Sequence, residues 1–196
     1  KQAKQALKKC GLPEDREFVA VSVRDWSNAE RFPAQLAQLC DYLRCTYDVE
    51  ILFLLMQPSN DFAVTQKVQR LMQEPSYALS DYRGPSELLG VMGQARLCLA
   101  MRLHTLIFAA RMVVPAMGMV YDPKVDSYLK ELGLQAAGHV EHFDVEVAKA
   151  RADDVMKHYD EVRESLGERS RQMSVAAKEN ERLLLELLER TRNQKK

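Results

Sequence analysis

Residues 49–56, VEILFLLM, are apolar at every position except Glu50. A run of strand length with no polar alternation has no face to offer water. Both of its faces must be covered, as in a strand inside a parallel sheet flanked by helices. Shorter runs read as strands in the same way: EFVAVSV at 17–23, YALS at 77–80, RLCLAM at 96–101 and VVPAMGMV at 113–120. Segments with helical spacing lie between them, at 29–45, 61–74, 84–95, 104–112 and 123–133, with a short helix over 1–10. Pro33 fits the first turn of its helix, Ser86 and Glu87 mark a helix start, and Gly133 marks a helix end. Strand and helix alternating through short links predict a doubly wound, Rossmann-like parallel sheet with helices on both faces. Neither GxGxxG nor GxxxxGK[ST] is present, so the common dinucleotide and P-loop fingerprints are absent.

The pattern changes near residue 141. A polar helix is expected over 144–165, interrupted near Gly167, followed by a second long helix to the end of the chain. That helix carries Leu183, Leu184, Leu185, Leu187 and Leu188, more apolar surface than one helix face holds, which suggests packing against another surface. The expected organisation is therefore an α/β domain over 1–143 and a helical extension over 144–196. The lysine-rich start KQAKQALKK has neither an initiator methionine nor the form of a signal peptide, and the chain reads as a fragment excised from a longer protein.

Charge and cysteine content narrow the function classes. The 28 basic residues are balanced by 28 acidic ones, so the basic excess of a nucleic-acid binder is missing. No apolar run reaches the ~20 residues of a membrane span. Cys10, Cys40, Cys45 and Cys98 show no zinc spacing and read as reduced thiols of a cytosolic protein. HVEHFD, at 139–144, brings two histidines and two acids together, but without a recognised metal-ligand spacing, so no metal is expected.

Ligands of open parallel sheets bind beyond the carboxyl ends of the strands. The residues that follow the predicted strands are Arg24, Asp25 and Trp26, then Gln57, Ser59, Asn60 and Asp61, then Arg102 and His104, then Tyr121, Asp122 and Lys124. Three of these four groups contain a cation, and all would share one edge with helix N-termini. The combination suits a small polyanion.

The stretch MRLHTLIFAARMVVPAMGMVYDPKVDSYLKELG, 101–133, resembles the polysaccharide pyruvyl transferase family, in particular its bacterial cell-wall members. The family's Arg-Leu-His, its LIFAA, its P-x-x-G strand and its YDPKV are all present. VSVRDW at 21–26 and FLLMQPSNDF at 53–62 are similar to two further family segments, although Leu55 stands where the family has proline. The resemblance covers about residues 15–135.

It implies a two-domain fold like that of GT-B glycosyltransferases, of which this chain would be the C-terminal half. The N-terminal domain of the same protein would then lie outside it. It also implies transfer of a pyruvyl group from phosphoenolpyruvate to two sugar hydroxyls, with a cyclic ketal formed, phosphate released and no further cofactor. The implied acceptor is a lipid-linked saccharide containing N-acetylmannosamine, used to anchor surface-layer proteins, and the implied location is cytoplasmic with peripheral contact at the inner membrane face. By family position His104, Arg102 and Lys124 form the catalytic set, with Arg24, Leu103, Gln57 and Asp61 as substrate contacts. A nucleotide-sugar glycosyltransferase and a non-catalytic module built on the leucine-rich helix are the alternatives.

Overall fold

The structure is a computed structural model that describes residues 2–193; in the last helix, the side chains at 179–181, 184–185 and 187–193 also lie outside the described residues. Six parallel strands form one sheet: β1 (Phe18–Ser22), β2 (Glu50–Leu54), β3 (Tyr77–Leu79), β4 (Leu97–Ala100), β5 (Ala116–Val120) and β6 (Ala136–His139). Their order across the sheet is β3-β2-β1-β4-β5-β6. The first four strands and β5 follow the apolar runs read from the sequence. β6 does not: AAGH has no β-branched residue and contains glycine, so strand propensity gives it no signal.

Helices cover both faces. The chain runs α1 (Gln2–Lys9), α2 (Phe32–Tyr47), α3 (Pro58–Leu71), α4 (Pro85–Met92), α5 (Leu103–Arg111), α6 (Pro123–Leu132), α7 (Val145–Lys157) and α8 (Tyr159–Asn193). Val19, Val21 and Val23 of the β1 segment pack on one face with α2, α3 and α7. Phe18 and Ala20 point the other way, into a second core made with α1, α4, α5 and α6. Val19, Val21, Ile51, Leu52, Leu97 and Leu99 are essentially inaccessible to water. Burial on both faces accounts for the absence of polar alternation in these strands.

Proline sets several of the strand-to-helix turns. Pro58, Pro85 and Pro123 are the first residues of α3, α4 and α6, where a missing N–H costs no hydrogen bond. Pro33 falls in the first turn of α2 as expected. Each helix therefore starts close behind its strand, which keeps the polar turn residues at the sheet edge.

At the centre of β5, Gly118 faces α6. A Cβ there would lie 2.3 Å from Leu129 Cδ1, so the helix is seated closer to the strand than any larger residue would permit. Gly133, with φ of 65°, ends α6 in the left-handed conformation that favours glycine.

The C-terminal segment differs from expectation in one respect. The expected helix break near Gly167 is found at His158, which caps α7, and α8 runs through Gly167 without interruption. Gly167 is retained in the helix because Val113 packs there: a Cβ would stand 3.2 Å from Val113 Cγ1. The carboxylate of Asp144 accepts the N–H groups of Glu146 and Val147 and caps α7. α7 then packs on α2, while α8 reaches α5 and α6 on the opposite face. Leu183 is exposed, and the side chains of the other four leucines of its cluster lie outside the described residues. Among the described residues, no helix is long and apolar enough to cross a membrane.

Candidate functional site at the carboxyl edge of the sheet

β1 and β4 are neighbours, yet the helices that follow them go to opposite faces. This is the topological switch point of the sheet, where the turns diverge and leave a crevice. Arg24 and Trp26 follow β1 on one side of it; Arg102 and His104 follow β4 on the other.

His104 and Lys124 occupy equivalent positions. Each is the second residue of its helix, α5 and α6, and the strands leading to those helices, β4 and β5, are adjacent. Both side chains are exposed. The two helix starts differ in their caps. Asp122 caps α6 by accepting the Lys124 N–H at 2.8 Å. No side chain caps α5, where the N-cap position is held by Arg102, a residue without an acceptor. The first turn of α5 thus keeps its amide dipoles unopposed beside His104. Leu103, also expected to meet substrate, is half-buried as the first residue of α5.

Arg102 does not present a free charge. Its Nε donates to both carboxylate oxygens of Asp61, at 3.1 and 3.0 Å, and its terminal nitrogen pairs with the same group. Asp61 also accepts the backbone N–H of Gln57 at 2.9 Å. The Asp61 side chain is 1% exposed and that of Arg102 is 14% exposed. Of the residues expected at the site, Asp61 thus lies buried beneath the edge, and the charge of Arg102 is balanced by it within the protein. The physical reason is local. Asp61 lies in the first turn of α3, so its carboxylate points back toward the loop after β2 and meets the guanidinium arriving from β4. Because β1 lies between β2 and β4, the ion pair passes over the carboxyl end of β1. Tyr82 sits close by and donates to the Met56 carbonyl at 3.0 Å. Burial, then the negative charge of Asp61, raises its phenol above the ordinary range. Gln57 is exposed, and its side-chain oxygen accepts from Asn60 at 3.2 Å.

Arg24 has a different setting. Its guanidinium carbon lies 4.9 Å from the ring centre of Tyr121 and 5.9 Å from that of Trp26. One terminal nitrogen donates to the Tyr121 hydroxyl at 3.2 Å, and its buried Nε has no partner. Among the described residues it forms no ion pair with a carboxylate, and its charge is held by the two aromatic faces and the Tyr121 hydroxyl. The two rings are 5.1 Å apart, and the Trp26 N–H donates to Glu141 at 2.9 Å. A cleft of about 280 Å³ lined by Arg24, Trp26, Asn60 and Lys67 opens on one side of this cluster. A hollow of about 320 Å³ lined by Tyr121, Asp122, His139 and His142 opens on the other. Trp26 and Tyr121 were visible as strand-end residues without an assigned role. Glu141 was hidden because it follows the unpredicted β6.

A further hollow of about 360 Å³ lies at the opposite edge of the sheet, near the start of β1. Two of its cations are paired within the protein, Lys8 with Glu14 at 3.0 Å and Arg16 with Asp48.

The structure is similar to the UDP-GlcNAc 2-epimerase of Neisseria meningitidis solved bound to UDP-GlcNAc, with a TM-score of 0.62 and 12% identity, over 90% of this chain and 48% of that one. It is also similar to the C-terminal CMP-Kdo binding domain of WaaA from Acinetobacter baumannii, with a TM-score of 0.56 and 16% identity, over 87% of this chain and 95% of that one. A glycosyltransferase from Rickettsia africae gives a TM-score of 0.60 at 14% identity, over 89% of this chain and 47% of that one. These likenesses establish a fold of the kind found in one half of GT-B enzymes. The chain spans about half the length of the epimerase and of the Rickettsia glycosyltransferase. No curated protein matches it in sequence. The polysaccharide pyruvyl transferase family model matches residues 2–123, a segment that includes α1 through the start of α6 and both strand-end arginines, and the chain belongs to that family.

Proposed function

We propose that this chain is the phosphoenolpyruvate-binding half of a ketal-forming pyruvyl transferase that acts on a saccharide precursor of a cell-wall polysaccharide. Beyond family membership, the observation that supports this reading is the matched placement of His104 and Lys124 on consecutive helix starts beside the switch point. Phosphoenolpyruvate presents a phosphate and a carboxylate on a three-carbon enol, so its site needs separated cations and a proton donor. Lys124 supplies a point charge, the uncapped first turn of α5 supplies backbone N–H groups, and His104 supplies an imidazole as proton donor. Protonation of the methylene carbon makes the adjacent carbon electrophilic. One acceptor hydroxyl adds there and gives up its proton, phosphate leaves with its bonding electron pair, and the second hydroxyl closes the ketal as its proton is lost in turn. An arginine at the same edge completes the anion site. The acceptor, a lipid-linked saccharide, and the N-terminal half that binds it are supplied from outside these residues, at the inner membrane face.

Titration calorimetry of the chain with phosphoenolpyruvate, and separately with a UDP-sugar, tests the reading. The expected result is binding of phosphoenolpyruvate that His104→Ala and Lys124→Ala each weaken at least tenfold, with no comparable binding of the UDP-sugar. Preference for the UDP-sugar would favour a nucleotide-sugar glycosyltransferase and refute the proposal.

A further inference from the structure

The cleft of about 280 Å³ between the turn after β1 and α3 has a chemistry of its own. Its charged lining residues are Arg24 and Lys67 against Asp25 and Glu30, so it carries no net charge, and neither His104 nor Lys124 lines it. Two carboxylates in the same cleft offset the attraction of its cations for a dianion. The side chains of Asp25, Glu30 and Lys67 are exposed and, among the described residues, make no hydrogen bond or ion pair with the rest of the protein. They leave carboxylate acceptors and ammonium donors free for a ligand. Phe32 and Val64 line the same cleft from the core and give it an apolar part. Trp26 completes it, and its indole is held in place by the Tyr121 ring 5.1 Å away and by the Glu141 carboxylate.

A ligand suited to this cleft carries little charge, both donates and accepts hydrogen bonds, and has an apolar face to lay on an aromatic ring. A sugar ring has these properties: its hydroxyls donate to carboxylates and accept from ammonium groups, and its C–H face covers indole. The volume lies at the small end of ligand pockets, which begin at about 300 Å³, and so fits one ring rather than an oligosaccharide. We infer that the cleft is a subsite for one sugar ring of the saccharide acceptor, with Trp26 as its platform and Asp25, Glu30 and Lys67 as its hydrogen-bonding partners. This inference rests on the proposed pyruvyl transfer and adds that this half of the protein shares the acceptor with the N-terminal half. Arg24 marks the border. It lines the cleft and donates to the Tyr121 hydroxyl, in the turn that leads to Lys124, so a ring seated against Trp26 stands beside the proposed donor site without filling it.

Trp26 is the single tryptophan of the chain, so its emission reports on the cleft directly. The test titrates the chain with the methyl glycoside of N-acetylmannosamine, alone and with saturating phosphoenolpyruvate, and with glycerol as the control. The expected result is a saturable change in emission in the millimolar range, with a midpoint that phosphoenolpyruvate moves by no more than about twofold, and no saturable change with glycerol. Asp25→Asn and Lys67→Met replace exposed side chains, so the fold survives them. Each is expected to weaken the sugar about fivefold, the worth of one hydrogen bond, while calorimetry finds phosphoenolpyruvate binding within about twofold of the unaltered chain. Trp26→Ala, followed by saturation-transfer NMR of the sugar, is expected to abolish binding. The inference is overturned if no saturable change occurs, if glycerol gives the same response, if Asp25→Asn and Lys67→Met both keep full affinity, or if Trp26→Ala still binds. Competition between the sugar and phosphoenolpyruvate also overturns it, since the cleft would then belong to the anion. A chain that binds the sugar but not phosphoenolpyruvate would refute the pyruvyl-donor reading and keep the cleft as a sugar site; one that binds phosphoenolpyruvate but not the sugar would overturn this inference alone.

Discussion

Asp61→Ala is predicted to be among the most damaging single substitutions at the carboxyl edge. The carboxylate is buried, receives the Gln57 N–H and holds Arg102 in a two-point grip. Its removal leaves a guanidinium that is about six-sevenths buried without a counter-charge. Breaking a buried ion pair from one side costs about 3–5 kcal/mol, because the remaining charge keeps its desolvation penalty and loses the attraction that offset it. For a chain of this length each 1 kcal/mol lowers the melting temperature by about 2–4 °C, so a fall of about 6–20 °C is expected. Urea unfolding gives the free energy directly. The decisive measurement is the double substitution Asp61→Ala/Arg102→Met, which removes the stranded charge and refills its volume. It should cost at least ~2 kcal/mol less than the sum of the two single changes, a coupling of the size seen between contacting groups. Additivity within ~0.5 kcal/mol, or an Asp61→Ala cost below ~1 kcal/mol, would refute the reasoning, since either means that Arg102 finds water or another partner without Asp61.

Two further predictions concern groups away from this edge. Burial of Cys98 pushes its thiol up to about 12, and burial also raises Cys40, so neither should react with Ellman's reagent until the protein unfolds. Cys45 is exposed and should react first, more slowly than a free thiol because partial desolvation and the charges of Glu74 and Asp41 raise it; modification of Cys98 in the native protein would contradict the packing of β4. Burial, then a 2.6 Å hydrogen bond to Asp153, raises the Tyr47 phenol well above its ordinary value. A raised pKa means that the native state holds this proton more tightly, so the stabilisation is complete below about pH 10, the unfolded value, and is lost as pH rises further. Tyr47→Phe should therefore show a shallower fall in melting temperature between about pH 9.5 and 11.5 than the unaltered chain, and equal slopes would exclude this role for Tyr47.

The strands that build the core were legible because burial on both faces leaves an unmistakable composition, as in Val49–Leu55. The helices that follow them were legible from spacing and from proline at their starts. β6 was not, because a four-residue edge strand of small residues is defined by pairing with β5 and by nothing in its own side chains. The candidate site divides in the same way. That Arg24, His104 and Lys124 share an edge follows from strand-end position alone. That Arg102 meets Asp61, 41 residues away, depends on which strands are neighbours, and strand order cannot be read from local pattern. A polar residue between apolar runs signals that some partner exists; the topology decides whether that partner is a ligand or another part of the chain.

Gly118 gives the distance between α6 and the sheet a consequence for chemistry. Leu129 rests where a side chain on residue 118 would be, and Lys124 lies five residues before it on the same helix. A helix of ten residues moves as a stiff rod, so a shift at Leu129 is delivered to Lys124 with little loss. The elevation of a cation at the sheet edge is in this sense gauged by an absent methyl group in the interior. Changes to the core at residue 118 are then changes to the reach of Lys124, although no atom of residue 118 approaches the cleft.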